Sequence, residues 1–135
     1  MGLDQSAYAT KGDQHEDIAT WRKHNRLQGW MEDLWESKGR PNFNKAEATP
    51  MGDFNCIPVE LTIEDIDSLE YAINNFELPE TGGFFFGNDS YFWTDEEGNP
   101  YPDNHYYYKD NDLYFIKKAR DLINKGWKVF YDSWW

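Results

Sequence analysis

The stretch VELTIEDIDSLEYAINNFELP, residues 59–79, holds a strand pattern that runs directly into a helix pattern. Thr62 and Asp65 have the spacing of a capping box, and the apolar residues that follow recur on one helical stripe. Pro79 ends the helix, because proline cannot continue it. A strand followed at once by an amphipathic helix is typical of an α+β domain.

The strand pattern itself begins at Phe54, in the segment FNCIPVEL. Pro58 interrupts it and has no N–H group for the ladder, so we expect an edge strand. Working outward in both directions, periodicity and turn residues predict the remaining elements. In chain order these are a strand at 1–10, a loop at 11–17, a helix from Ile18 to Gly39 with Asp17 as N-cap, a strand, turn and strand within 82–93, a polar loop at 94–112, a helix capped by Asp110 or Asn111 and stopped by Gly126, and a last strand at 127–135.

The length of 135 residues suits one domain, 1–135, with an acidic polar loop near 94–112. We expect a small antiparallel or mixed sheet with about three helices packed on it. The chain contains 7 Trp, 9 Tyr and 9 Phe residues, so its core should be aromatic rather than aliphatic. Three successive phenylalanines, 84–86, would need burial on both faces of a strand.

Charge is distributed unevenly along the chain, whose net charge is −12. Residues 46–108 contain no Lys or Arg but 14 of the 25 Asp and Glu residues. This field would repel phosphates and anionic lipids, which argues against direct nucleic-acid binding and against membrane binding. The acidic segment is either a solvated face or a surface that steers a basic partner.

The remaining reactive residues are sparse. Cys56 is the only cysteine and cannot form an internal disulfide, and the N-terminus lacks a secretion pattern, so we expect a cytoplasmic protein. We interpret Cys56 as a buried strand residue. The three histidines are scattered, and the acidic loop does not match a calcium-loop spacing. The sequence therefore predicts no cofactor, no metal and no catalytic residues.

The basic segment TWRKHNRLQGW, residues 20–30, is the strongest candidate for a binding site. On a helix its guanidinium and amide groups would stand beside an indole and could clamp a phosphate or carboxylate on an aromatic ring. The alternative is a basic helix face that pairs with the acidic segment. The predicted ligand-binding residues are Trp21, Arg22, Lys23, Asn25, Arg26, Phe85, Gly87 and Tyr107.

Several segments, in the same order, resemble a family of small uncharacterised proteins of tailed bacteriophages. They are MGLD, WRKHN at 21–25 followed by Trp30, FNC with VEL, LPETGGFFFG at 78–87 and VFYDSWW. The resemblance implies a phage protein that acts in the cytoplasm of the infected host. Some members carry the label phosphoglycerate kinase, but this chain has neither the size nor the Gly-rich phosphate loop with lysine.

We therefore expect a non-enzymatic binding protein that captures a small nucleotide-like ligand or docks on a host protein, altering host metabolism or defence. Two alternatives are an acidic mimic that blocks a basic nucleic-acid-binding host protein and a small enzyme of unknown reaction. The last strand, with Trp134 and Trp135, would belong to a monomer core or to a homodimer contact.

Overall fold

The computed structural model describes residues 2–43, 54–82 and 86–135. Within them, four strands form one antiparallel sheet in the order β2-β1-β4-β3, and three helices accompany it. The α+β class is confirmed. The elements are β1 (Asp4–Lys11), β2 (Gln14–Arg22), α1 (Asn25–Ser37), β3 (Val59–Leu61), α2 (Ile63–Asn74), a short 3₁₀ helix (Ser90–Phe92), α3 (Lys109–Asn124) and β4 (Lys128–Trp134).

The sheet buries one face, as the alternation of burial along its central strands shows. Ala7 and Ala9 of β1 and Tyr131 of β4 are buried under the helices, whereas Tyr8 and Phe130 lie on the opposite face and remain partly exposed. We call the face that carries Tyr8 and Phe130 the open face. Tyr8 and Phe130 stack there with ring centroids 5.4 Å apart.

The core is mixed, so the prediction of an aromatic rather than aliphatic core is wrong: among the described residues, 8 of the 25 buried hydrophobic residues are aromatic. The five largest fully buried side chains are nevertheless aromatic. Trp35 and Phe54 pack together with ring centroids 5.0 Å apart, and Phe115 meets Trp21 edge to face. Tyr131 is fully buried, and its hydroxyl accepts a hydrogen bond from Gln5 and donates one to Gln28 of α1. These bonds satisfy a phenol that burial would otherwise leave unpaired.

The first helix is shorter than predicted, and Asp17 is not its N-cap. Residues Gln14–Arg22 form β2, which returns along β1 after a tight turn with Gly12 at φ 59°. Lys23 has φ 56°, which breaks the strand, and the helix then begins after His24. Ile18 and Trp21 of β2 happen to continue the helical spacing of the apolar residues in α1. This coincidence explains why the sequence predicts a helix that begins at Ile18. The predicted stop at Gly39 is confirmed, with φ 84°.

The strand and the helix of the segment 59–79 are confirmed, but the predicted stop at Pro79 is wrong, because the helix ends at Asn74 and Phe76 takes φ 55°. Thr62 caps α2 by accepting from the Asp65 N–H, and the Asp65 carboxylate accepts from the Thr62 N–H. The strand covers only Val59–Leu61, after Pro58, and β3 is an edge strand as expected. The interpretation of Cys56 as a buried strand residue is wrong, because it is exposed, in a turn with φ 64°.

In the aromatic segment after α2, the second predicted strand is wrong, and the first predicted strand falls largely outside the described residues. Residues 83–85 lie outside the described part of the chain, and Ser90–Phe92 form a 3₁₀ helix because the Asp89 side chain accepts from the Tyr91 N–H. Phe86 is buried edge to face against Trp135.

The third helix begins at Lys109, after Tyr108, so Asp110 and Asn111 lie within its first turn instead of capping it. Acidic side chains there face the positive end of the helix dipole. Gly126, with φ 89°, follows the end of this helix, and β4 confirms the last strand. None of the described helices has the length and apolar character needed to cross a membrane.

Candidate functional site

The predicted clamp residues surround the junction between β2 and α1. Trp21 and Arg22 end the strand, Lys23 lies in the link, and Asn25 and Arg26 begin the helix. They do not share one helix face, so the predicted arrangement of the clamp is wrong. Each residue instead has its own set of contacts.

Trp21 is a core residue. Only 4% of it is exposed, and its indole N–H donates to Oδ1 of Asp112 over 2.8 Å. Its ring also meets Phe115 edge to face, with centroids 5.3 Å apart. No face of the indole is left for a ligand ring.

Asn25 ties the start of α1 to the aromatic segment. Its Oδ1 accepts from the Ser90 N–H over 3.0 Å, and its Nδ2 donates to the Asn88 carbonyl over 2.6 Å. Asn25 is fully buried. The Asn25 side chain therefore supplies hydrogen bonds to the backbone of the loop at Asn88 and Ser90, which is not paired in the sheet.

Arg26 is occupied by Asp89. Nε and Nη2 of the guanidinium lie 2.7 Å from Oδ1 and Oδ2 of that carboxylate, a bidentate pair. Nη1 donates to the Leu78 carbonyl over 2.8 Å, and the guanidinium lies 4.0 Å from the centre of the Tyr91 ring. The hydrogen bonds to Asp89 raise the pKa of Arg26 and lower the pKa of Asp89. Arg26 therefore anchors the loop that contains Asp89 to the start of α1.

His24 lies at the centre of a buried polar network that the sequence did not predict. Its Nε2 is 2.8 Å from Oδ2 of Asp112, and its Nδ1 is 2.9 Å from Oγ of Ser90. The Tyr106 hydroxyl donates to the same Asp112 oxygen over 2.5 Å. Burial, and then the carboxylate of Asp112, raise the pKa of Tyr106 above its ordinary range.

Serine, histidine and aspartate are also the residue types of a hydrolytic triad, but here they are sealed in the interior. The exposed fraction of Ser90 and His24 is 0%, and that of Asp112 is 1%. A substrate cannot reach the Ser90 hydroxyl in this structure, so we interpret the network as structural. A sequence signal was available, since Asp112 shares the apolar face of α3 with Phe115 and Ala119.

Gly87 and Lys23 contact each other. Gly87 has φ 76°, and a Cβ placed there would lie 3.1 Å from Cδ of Lys23. The absence of a side chain at Gly87 therefore leaves space for the aliphatic part of the Lys23 side chain. Phe85 lies outside the described residues.

Arg22 lines a cavity of about 690 Å³ on the open face of the sheet, which we call the sheet cavity. The strands β2, β1 and β4 form its floor, and Tyr108 and Cys56 also line it. The Tyr108 hydroxyl holds the Arg22 backbone, with 2.9 Å to its N and 3.0 Å to its O.

Tyr107 lies in a different place, on a groove of about 610 Å³ beside α3. We call it the tyrosine–carboxylate groove, because three phenol rings and four carboxylates line it, with an amide. Its residues are Asp95, Glu96, Glu97, Tyr101, Tyr107, Tyr108, Asp110 and Asn111.

The acidic loop beside this groove has a defined shape. The carboxylate of Asp95 accepts from the N–H groups of Glu97 and Asn99, each over 2.9 Å. Thr94 and Pro100 pair as an isolated bridge, which closes the loop. These bonds hold Glu96 and Glu97 out from the surface, and within the described residues neither side chain forms an ion pair. The composition of the acidic loop is evident from the sequence, but its position beside Tyr107 is not.

An aromatic hollow of about 700 Å³ continues from the groove on the other side of Tyr107. Phe92, 79% exposed, and Trp93 line it. Trp93 meets Tyr107 and Tyr108 with ring centroids 5.3 and 5.5 Å away. The packed rings of Trp93, Tyr107 and Tyr108 and the exposed ring of Phe92 give an apolar surface next to the carboxylates.

Among the described residues, no group of three His, Cys, Asp or Glu side chains has an arrangement that could hold a metal ion. Cys56 is exposed at the edge of the sheet cavity. Partial burial, together with the nearby Asp132 carboxylate, raises the pKa of its thiol. At neutral pH these two effects favour the thiol over the nucleophilic thiolate.

Comparison of the chain with protein-family models, with curated proteins and with solved structures finds no match. The site must therefore be argued from its own geometry. The predicted residues do not form one site: they divide between the buried junction of β2 with α1, the sheet cavity and the tyrosine–carboxylate groove.

Proposed function

We propose that this chain is a non-enzymatic binding protein that docks on a basic partner protein through the tyrosine–carboxylate groove. The observation that carries the proposal is the groove itself, where four carboxylates and three phenol rings line one depression. The resemblance to phage proteins supports a partner in the cytoplasm of an infected host.

Lysine and arginine side chains fit such a surface chemically. A guanidinium or ammonium group is attracted to the face of a tyrosine ring, and a carboxylate beside the ring adds a charge-assisted hydrogen bond. The lysine adjacent to Asp110 in the sequence does not neutralise the groove. Lys109 donates instead to the Asn104 carbonyl over 2.7 Å and lies 5.3 Å from the centre of the Phe76 ring.

The net charge of −12 also attracts a basic partner, and it acts over a longer range than the contacts in the groove. An acidic surface raises the rate at which a basic partner arrives, and this effect weakens as salt screens the field. The aromatic hollow beside Phe92 would add apolar contact area. A partner surface that is both basic and apolar is favoured over one that is only basic.

The alternative of an acidic mimic is a special case of this proposal, in which the partner's basic surface is a nucleic-acid site. An enzymatic role has less support, because Ser90, His24 and Asp112 are closed to solvent. The predicted clamp for a small ligand on the first helix has no support, since Asn25 and Arg26 hold the loop 86–91.

The test uses a fluorescent peptide of mixed Lys and Arg residues, titrated against the protein at about 50 and about 300 mM salt. The double variant Glu96→Gln/Glu97→Gln removes two groove charges. Its matched control, Glu60→Gln/Glu64→Gln, removes two exposed charges elsewhere. We expect the groove variant to weaken binding about tenfold and the control less than about twofold.

A second pair of variants tests whether the tyrosine rings of the groove contribute to binding. Tyr107→Ala removes an exposed groove tyrosine, and Tyr114→Ala removes an exposed tyrosine of α3 outside the groove. Only Tyr107→Ala should weaken binding. If the two charge variants had equal effects, net charge alone would explain the binding and the groove assignment would be wrong.

A further inference from the structure

The sheet cavity is built on paired strands. Asp4 of β1 pairs with Arg22 of β2 on one side and with Trp134 of β4 on the other. Backbone hydrogen bonds fix these three positions side by side, so the groups at the cavity have defined spacing before any ligand arrives.

Arg22 supplies an uncommitted positive charge to this cavity. Its side chain is exposed and, among the described residues, makes no ion pair, although Asp4 is its cross-strand neighbour. Arg26 and Arg120, by contrast, are each paired with carboxylates. A guanidinium without a carboxylate partner, on a backbone held by strand pairing, is suited to bind an anionic group.

Asp132 supplies a carboxylate that has free lone pairs. It lies opposite Ser6 on the open face and is partly buried, and its Oδ1 accepts from the Ser133 N–H over 2.8 Å. No cation pairs with this carboxylate in the described residues, and burial raises its pKa. A ligand N–H or O–H group would satisfy the free lone pairs of Asp132.

Trp134 supplies a flat apolar face. It is 63% exposed, although its neighbour Trp135 is only 9% exposed. An indole face of this kind stacks on a planar ring with little cost in side-chain entropy. Arg22 and Trp134 are separated by two strand spacings, about 10 Å, a separation on the scale of one nucleotide.

We propose that the sheet cavity binds a nucleoside monophosphate. The base stacks on Trp134 and donates its N–H groups to Asp132, and the phosphate meets the guanidinium of Arg22. This site shares Tyr108 with the tyrosine–carboxylate groove, but none of the residues varied in the two sets of tests lines both sites, so the two proposals are tested separately.

Charge favours a ligand with one phosphate over a ligand with several. The cavity holds one arginine against the carboxylates of Asp4 and Asp132. A triphosphate or a nucleic-acid strand would bring additional negative charges into a protein of net charge −12. A guanine base fits Asp132 best, because its ring N–H and amino group both donate on one edge.

The test is calorimetric titration with GMP, and then with GTP, against three forms of the protein. Arg22→Gln removes the guanidinium, and Lys128→Gln removes a positive charge from β4 outside the cavity. We expect GMP to bind the wild type more tightly than GTP. Arg22→Gln should weaken GMP binding at least about tenfold, and Lys128→Gln less than about twofold.

Cys56 gives an independent readout. It is the only cysteine, it is exposed and it lines the cavity, so a thiol reagent labels this site alone. Saturating GMP should slow the labelling several-fold. Three results would overturn the proposal: no GMP binding at millimolar concentration, equal losses in the two charge variants, or an unchanged labelling rate with GMP bound.

Discussion

Nε2 of His24 lies 2.8 Å from Oδ2 of Asp112, and both side chains are sealed in the interior, with exposed fractions of 0% and 1%. His24 ends the link between β2 and α1, and Asp112 lies in α3, so the contact joins elements 88 residues apart. Trp21 and Tyr106 donate to the same carboxylate. Asp112 is therefore the acceptor on which the junction of sheet and helices depends.

Asp112→Asn should destabilise the protein by about 2–4 kcal/mol, because an amide cannot accept from all three partners and its own N–H₂ group would face other donors. The matched control is Asp110→Asn, which changes an exposed carboxylate of the same helix and should cost less than about 0.5 kcal/mol. Urea unfolding at neutral pH measures both. Equal stability of the two variants would contradict the role given to Asp112.

The pair of Arg26 with Asp89 predicts a loss of stability in acid. The hydrogen bond from Arg26 holds the pKa of Asp89 below its ordinary value of 3.8. The unfolded chain therefore binds a proton more readily, and the free energy of unfolding falls as the pH drops from about 5 through the native pKa. Asp89→Asn should lower stability at pH 7, and the difference from the wild type should shrink near pH 3. Urea unfolding at both pH values tests this, and a constant difference would contradict it.

Asp132 should behave in the opposite way. Burial raises the pKa of this carboxyl, so the native state binds the proton more readily than the unfolded chain does. Asp132→Asn should therefore raise stability at pH 7, by up to about 1 kcal/mol, and the gain should disappear at low pH. The same substitution should weaken GMP binding. A variant less stable than the wild type at pH 7 would contradict the assignment.

Gly29 of α1 should not tolerate alanine, although alanine favours helices. A Cβ at Gly29 would lie 1.8 Å from Oγ1 and 2.9 Å from Cβ of Thr81. We expect Gly29→Ala to lower the free energy of unfolding by about 1–3 kcal/mol through overpacking. Thr81→Gly in the same chain should recover most of that loss. A double-mutant cycle measured by urea unfolding tests the contact, and independent effects of the two substitutions would exclude it.

Much of the fold could be predicted from local signals. The capping box of Thr62 and Asp65, the proline before β3 and the alternation in β1 each depend on neighbouring residues only. The second strand could not, because Ile18 and Trp21 also fit the helical spacing of α1 when extended backward. The left-handed conformation of Lys23, which separates strand from helix, has no signal in its residue type.

The site was less predictable, because its contacts join distant residues. Arg26 is basic and precedes a helical stripe, but its partner Asp89 is 63 residues away. The sequence identified Tyr107 and the acidic loop separately, and only the fold brings them to one groove. The sequence predicts Arg22 in a clamp on a helix, whereas in the structure it is the last residue of β2 and lines the sheet cavity.

The most direct test of the docking proposal is a two-dimensional NMR titration of the isotope-labelled protein with the Lys and Arg peptide. We expect the largest shifts at the amides of Tyr101, Tyr107 and Glu97, with little change at the acidic surface of α2 around Asp67. Shifts spread evenly over both acidic surfaces, or centred on α2, would contradict docking at the tyrosine–carboxylate groove.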